Sequence, residues 1–146
     1  MATRSTIAME QPDGRVMQVY CHWDGYLDNN GRILQEHYTD RAKVLALMML
    51  GSISSLREEI GQAHDFDDRY EDSDPRAKWT VAYGRDRGED NIDANVYKDF
   101  ADYKKNHQYE EYEYIFRSDD RWYVSEYGRA YGPLDAALDA LVNEDA

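Results

Sequence analysis

A chain of 146 residues with a formal net charge of −13 has the length of one domain and repels nucleic acid backbones and anionic membranes. Hydrophobic residues make up 42% of the sequence, which excludes a disordered chain, and the single cysteine excludes an internal disulfide bond. No signal peptide is evident, and the longest apolar run, residues 44–50, is too short to span a bilayer. We therefore predict one cytoplasmic domain over residues 1–146 that binds neither nucleic acid nor membrane directly.

The start of the chain predicts a β-hairpin. Two β-branched, partly alternating runs, Ser5–Glu10 and residues 15–22, flank a Gln-Pro-Asp-Gly segment that is typical of a tight turn. Alternation along the second strand places Cys21 and Trp23 on one face and His22 on the other. We predict that Cys21 and Trp23 are buried and that His22 is more accessible.

The middle of the chain predicts helices followed by one strand. A short helix over residues 32–38 precedes a clearer core helix over residues 41–50, which Gly51 ends. Residues 52–59 predict a turn or short helix, and residues 78–83 alternate as in a strand with one buried face.

The C-terminal part predicts a short strand at residues 95–98, a short helix at residues 99–107 and a second hairpin from residues 110–117 and 121–127. Pro133 then opens a final helix. Together the elements predict a single α+β domain. Its sheet is mainly antiparallel, formed by two hairpins and a lone strand, with the helices packed on one face.

Residues 20–26 (Tyr-Cys-His-Trp-Asp-Gly-Tyr) concentrate reactive side chains at the end of the first hairpin. Cys21, His22 and Asp24 have the residue types of a thiol nucleophile, its base and an orienting carboxylate. Neighbouring strand residues point to opposite faces, so Cys21 cannot readily pair with His22, and we predict no catalytic residue. Two interpretations stay open: a rigid junction between strand and helix, or a ligand pocket lined by His22, Asp24 and Tyr26.

Motifs for metals and cofactors are lacking. The four histidines include no i, i+4 pair, and the sequence has no Cys-x-x-Cys, GxGxxG or P-loop pattern. Arg85 and Arg87 lie in a glycine-bounded turn that could face a phosphate, but Glu89 and Asp90 follow directly and oppose that role. We therefore predict no metal and no cofactor.

Acidic side chains gather in three stretches of the sequence. Such carboxylates can occupy the DNA groove of an enzyme that handles nucleic acid, because they attract the same basic residues as a phosphate backbone. The alternative is a solvated surface that only keeps the protein soluble. The predicted partner-binding residues are Asp65, Asp67, Asp68, Glu71, Asp72 and Asp74, then Glu89 and Asp90, and then Glu110, Glu111 and Glu113.

Residues 20–26, together with residues 50–56 (Leu-Gly-Ser-Ile-Ser-Ser-Leu), resemble a family of small proteins of bacteriophages and bacteria. Residues 3–8 and 82–89 are similar to that family as well, so the likeness covers most of the chain. Leu27 stands where the resemblance leads us to expect proline, which implies a less rigid loop. The resemblance implies a phage-type accessory protein, and it supplies no activity and no catalytic residue.

These observations predict a non-enzymatic protein that binds and inhibits a basic nucleic-acid-handling or defence protein of a bacterial host. By analogy with anti-restriction and anti-CRISPR proteins that imitate DNA, the acidic residues would make the contact. The first alternative is a small-ligand-binding or enzymatic domain centred on His22, Asp24 and Tyr26. The second is a homo-oligomeric structural protein, which requires a large exposed apolar patch.

Overall fold

A computed structural model describes residues 2–67, 69–107 and 109–144. The strands in this part of the chain are β1 (Ser5–Glu10), β2 (Val16–Cys21), β3 (Ile53–Ser55), β4 (Val81–Ala82), β5 (Asn95–Tyr97), β6 (Tyr112–Phe116), β7 (Trp122–Glu126) and β8 (Gly132–Pro133). The α-helices are α1 (Arg32–His37), α2 (Arg41–Met49), α3 (Tyr83–Arg87), α4 (Phe100–Asn106) and α5 (Leu134–Glu144). A π-helical turn at Leu27–Gly31 leads into α1, and a 3₁₀ turn occupies Pro75–Lys78.

Both predicted hairpins are confirmed. β1 pairs antiparallel with β2, and β6 pairs antiparallel with β7. The hairpins join through parallel pairing of β1 with β6, which gives a sheet ordered β4-β3-β2-β1-β6-β7-β8, with β5 also on β2. Of the seven strand pairs in the described structure, only β1 with β6 and β2 with β3 are parallel. The predicted α+β fold with a mainly antiparallel sheet is therefore confirmed.

The helices divide unequally between the two faces of the sheet. Neighbouring strand residues point to opposite faces, and β6 shows the division directly. Tyr114 and Phe116 enter the larger core with residues of α1, α2 and α5, whereas Ile115 enters a smaller core with Tyr103 of α4. Three helices thus cover one face, and the short α4 covers part of the other. Glu113 shares the α4 face, because it lies two residues before Ile115.

The predicted core helix over residues 41–50 is confirmed as α2. The side chain of Asp40 accepts a hydrogen bond of 3.1 Å from the backbone N–H of Ala42, which satisfies a donor that the first turn leaves open. Gly51 follows the helix with a φ of +76°, and any side chain there would collide with Ile92. Asp40 and Gly51 therefore set the two ends of α2.

Two local predictions were wrong. Residues 52–59 contain the strand β3 instead of a turn or helix, because Ile53 pairs with Cys21 at the end of β2. The strand predicted over residues 78–83 is reduced to β4, and Tyr83 already begins α3.

Candidate ligand-binding site

The chain leaves β2 in a tight turn over residues 22–26, here called the tryptophan turn. The backbone N–H of Trp23 donates to the carbonyl O of Ser54 at 3.0 Å, which attaches the turn to β3. Asp24 has a left-handed backbone with a φ of +55°, and Gly25 packs so closely on β1 that a Cβ would lie 2.6 Å from a side-chain carbon. These contacts hold the turn in one conformation in which 43% of Trp23 is exposed.

A cavity of about 480 Å³ opens beside this turn, and we call it the tryptophan-turn cavity. Its volume lies within the range of small-molecule sites, about 300–1,000 Å³. Aromatic rings and guanidinium groups dominate its walls, and these come from segments far apart in the sequence. The aromatic lining residues are Trp23, Tyr70 and Trp79, and the basic ones are Arg57, Arg69 and Arg76.

Contacts with the protein position two of these arginines. Arg57 donates from Nη1 to a main-chain carbonyl at 2.7 Å. The Arg76 guanidinium lies 4.2 Å from the centroid of the Tyr70 ring and 2.7 Å from Oδ2 of Asp74, and its hydrogen bonds lower the pKa of Asp74 to about 2. Among the lining residues the guanidinium groups outnumber the carboxylates, since Asp24 is the one acidic residue of the described wall. With Arg76 paired to Asp74, Arg57 and Arg69 still outnumber Asp24, so the cavity is locally cationic in a chain of net charge −13.

His64 also lines the cavity and packs against Trp79. Its side chain is only 3% exposed, and its ring meets the ring of Trp79 edge-on at 5.6 Å. Its Nδ1 lies 2.8 Å from the carbonyl O of Gln62, and because a carbonyl only accepts, Nδ1 carries the proton. The backbone N–H of His64 donates to Asp86 at 3.1 Å. Trp79 is thus packed against a ring that its own hydrogen bond to Gln62 holds in orientation.

The three residues of the predicted pocket are placed differently. Asp24 lines the tryptophan-turn cavity, whereas His22 and Tyr26 lie outside its described walls. The His22 ring packs edge-on against Trp23 at 4.7 Å, and its Nδ1 is 2.7 Å from the hydroxyl O of Tyr20. Tyr26 is 42% exposed. The predicted burial of Trp23 was wrong, because β2 and its alternation end two residues earlier.

Cys21 is fully buried, as predicted. Nδ2 of Asn30 donates to its Sγ at 3.4 Å, and the same amide nitrogen donates to Oγ of Ser5 at 3.1 Å. Burial raises the pKa of the Cys21 thiol. The thiol is therefore a structural group and a poor nucleophile.

The predicted acidic residues lie in several environments. Glu113 is 1% exposed, so its predicted surface position was wrong; β6 turns it toward the face under α4. Asp74 and Glu89 form ion pairs with Arg76 and Arg87. Asp68 lies outside the described residues. The exposed ones are Asp65, Asp67, Glu71, Asp72, Glu89 and Asp90, and the half-buried ones are Asp74, Glu110 and Glu111.

Within the described residues, no group of three or more His, Cys, Asp or Glu side chains is arranged to hold a metal ion. None of the helices in the described ranges has the length and apolar character that crossing a membrane requires. No family model matches the chain, and the comparisons with curated proteins and with solved structures gave no match either. The functional assignment therefore depends on the geometry of the site.

Proposed function

We propose that the protein binds a small ligand that combines a planar ring with an anionic group, such as a mononucleotide, in the tryptophan-turn cavity. The observation that carries this proposal is the shared wall of three aromatic rings and three guanidinium groups around one cavity. Aromatic side chains stack on bases of any sequence, and guanidinium groups bind phosphate oxygens through two parallel hydrogen bonds. Trp23 is exposed and belongs to the cavity wall, so its indole ring supplies a stacking surface.

The negative charge of the chain limits the proposed ligand to a small anion. Exposed carboxylates on the neighbouring loop, among them Asp65, Asp67 and Asp72, repel a nucleic acid whose phosphates extend beyond the cavity. A mononucleotide keeps its phosphate within contact distance of the arginines, where local attraction exceeds the screened repulsion of more distant charges. The proposal is thus compatible with the prediction that the protein does not bind DNA or RNA.

Calorimetric titration of the protein with AMP, and with adenosine as the uncharged comparison, tests the proposal. Trp23→Ala should weaken AMP binding at least about fivefold, since stacking on one aromatic side chain contributes about 1–3 kcal/mol. Tyr26→Ala is the matched control, because Tyr26 lies on the same turn, is equally exposed (42% against 43%) and is not part of the cavity wall. Equal effects of the two variants, or no binding of AMP to the unaltered protein, would refute the proposal.

A second pair of variants tests the contact between the arginines and the phosphate of AMP. Arg69→Ala should weaken AMP binding and leave adenosine binding unchanged, because Arg69 lines the cavity. Arg15→Ala is the control, since Arg15 is an exposed arginine whose side chain pairs with Asp13 in the first hairpin. A loss of adenosine binding in Arg69→Ala would show that the residue supports the fold of the wall and not the phosphate.

We propose, as a second candidate, that the protein inhibits a basic nucleic-acid-handling or defence protein in the cytoplasm of a bacterial host. The exposed carboxylates of the loop between His64 and Asp74 support it, because they offer negative charge in an accessible segment. Simultaneous Asp→Lys and Glu→Lys changes at Asp65, Asp67, Glu71 and Asp72 should abolish salt-sensitive capture of such a partner. Retained capture would exclude this surface, whereas Trp23→Ala should leave capture unchanged.

A further inference from the structure

A second cavity, of about 430 Å³, lies on the α4 face of the sheet, and Glu113 and His107 form part of its wall. His107 directly follows α4, and Glu113 lies on β6. Both side chains are buried, with 1% of Glu113 and 5% of His107 exposed. We call this space the Glu113 cavity.

The hydrogen bonds of His107 determine where its protons lie. Its Nδ1 is 2.6 Å from the carbonyl O of Tyr103, which can only accept, so Nδ1 carries a proton. Its Nε2 bonds to Oε2 of Glu113, and the hydroxyl of Tyr131 donates to the same Oε2 at 3.1 Å. One proton therefore lies between Nε2 and Oε2. Whichever atom holds it, the pair of His107 and Glu113 is neutral as a whole.

The other carboxyl oxygen of Glu113, Oε1, differs from Oε2 in its contacts. Oε1 is buried and forms no hydrogen bond with any described residue. Thr6, which faces Glu113 across the parallel pair of β1 and β6, has a second such buried atom, its Oγ1. Burial raises the pKa of Glu113, and the neighbouring His107 opposes that shift. Buried polar atoms are almost always hydrogen-bonded, and Glu113 belongs to the cavity wall, so a small shift of this wall would let Oε1 accept a hydrogen bond from a donor group in the cavity.

Basic side chains occupy the outer wall of the Glu113 cavity. Lys104 and Arg129 line it and are exposed. Arg117 lines it too, but its guanidinium contacts Glu10 at 3.3 Å and stacks on Phe100 at 3.6 Å. With the His107 and Glu113 pair neutral and Arg117 paired, Lys104 and Arg129 make the cavity a site for an anion.

We infer that the Glu113 cavity binds a small hydroxylated anion of the sugar phosphate class. A hydroxyl of the ligand donates to Oε1 of Glu113, and its phosphate contacts Lys104 and Arg129. A hydroxyl suits the inner position better than an ammonium group, because the neutral pair of His107 and Glu113 offers no net charge. Phe100 and Tyr131 add aromatic rings to the wall of the cavity.

The proposed contact of the ligand phosphate with Lys104 and Arg129 is tested by titrating the protein with glucose 6-phosphate, glucose and inorganic phosphate in a calorimeter. Glucose 6-phosphate should bind at least tenfold more tightly than either fragment, because only it engages both ends of the cavity. The double variant Lys104→Ala and Arg129→Ala should weaken its binding at least tenfold. The control double variant, Lys105→Ala and Arg15→Ala, removes two exposed cations that do not line the cavity, and should bind normally. Equal affinity of both double variants would overturn the inference.

The proposed hydrogen bond between the ligand hydroxyl and Glu113 is tested at His107 and Glu113 directly. In the unaltered protein, glucose 6-phosphate should shift the ring ¹⁵N resonances of His107, and inorganic phosphate should not. Glu113→Leu removes the acceptor and should reduce the preference for glucose 6-phosphate over phosphate to less than about twofold, with folding checked by circular dichroism. If that variant does not fold, unchanged His107 resonances in the unaltered protein still overturn the inference. Trp23→Ala should leave this binding intact, so the result is separate from that for AMP.

Discussion

Trp79 packs directly on Gly61, and Gly61→Ala therefore tests the wall of the tryptophan-turn cavity. Gly61 has a φ of +69°, and a Cβ there would lie 2.5 Å from Cδ2 of Trp79 and closer still to Cγ. Carbon atoms in contact sit about 3.5–4.0 Å apart, so the indole ring has to move by about 1 Å. The left-handed backbone adds a cost of about 1–2 kcal/mol for any residue with a Cβ.

Gly88→Ala is the matched control for this substitution. Gly88 has a φ of +75°, and a Cβ built there meets no atom within 4 Å. It should lower the free energy of unfolding by the backbone cost alone, about 1–2 kcal/mol. Gly61→Ala should lower it by a further amount of about 1–3 kcal/mol, because the ring of Trp79 is overpacked.

Urea denaturation measures both losses, and unchanged slopes keep the comparison valid. Titration with AMP adds the functional result, since a displaced Trp79 should weaken binding in Gly61→Ala but not in Gly88→Ala. Equal losses of stability in the two variants would show that Trp79 does not rest against Gly61, and the described wall would then be wrong.

Three further outcomes are expected. Tyr38→Phe should lower the free energy of unfolding by about 0.5–1.5 kcal/mol in urea, because it removes a 2.7 Å hydrogen bond to the carbonyl O of Arg57; no change would contradict that bond. Since burial raises the pKa of Cys21, an aromatic disulfide reagent should modify the thiol only at the rate of unfolding, and rapid modification under native conditions would contradict its burial. Hydrogen bonds from Arg76 lower the pKa of Asp74 from its ordinary value of 3.8 to about 2, so its charged form stabilises the fold above pH 3.8. The difference in stability between the protein and Asp74→Asn should therefore vanish as the pH falls through about 2, and a difference independent of pH would refute this assignment.

The hairpins could be predicted because their signals are local: alternating residues on each side of a turn. The parallel pairing of β1 with β6 has no local signal, since it joins segments about a hundred residues apart. β3 was missed because three residues are too few to show a period, and only pairing with Cys21 makes Ile53 a strand residue. Trp23 was misplaced because strand alternation was extended past the end of β2.

Glu113 illustrates a different limit of prediction from the sequence. The alternating pattern correctly places Glu113 on the opposite face of the sheet from Tyr112 and Tyr114. That face is covered by α4, however, and no pattern in β6 encodes the docking of α4. Asp24 was predicted to line a pocket and does line the tryptophan-turn cavity, but most of the remaining wall was missed because it comes from distant segments. Trp23, Arg57 and Trp79 belong to separate segments, and only the folded chain brings them together.

The two proposed functions should differ in how strongly they depend on salt, because they use charge at different distances. Capture of a basic partner depends on many exposed carboxylates acting over several ångströms, and salt screens such attraction beyond a Debye length of about 8–10 Å. AMP experiences two effects that oppose each other: salt weakens contact with the arginines and also weakens repulsion by the net charge of −13. Between about 50 mM and about 500 mM salt, affinity for AMP should therefore change less than about fivefold, whereas capture of a basic partner should disappear. AMP binding that falls as steeply as partner capture would mean that the nucleotide meets dispersed surface charge, and the tryptophan-turn cavity would lose its assignment as the site.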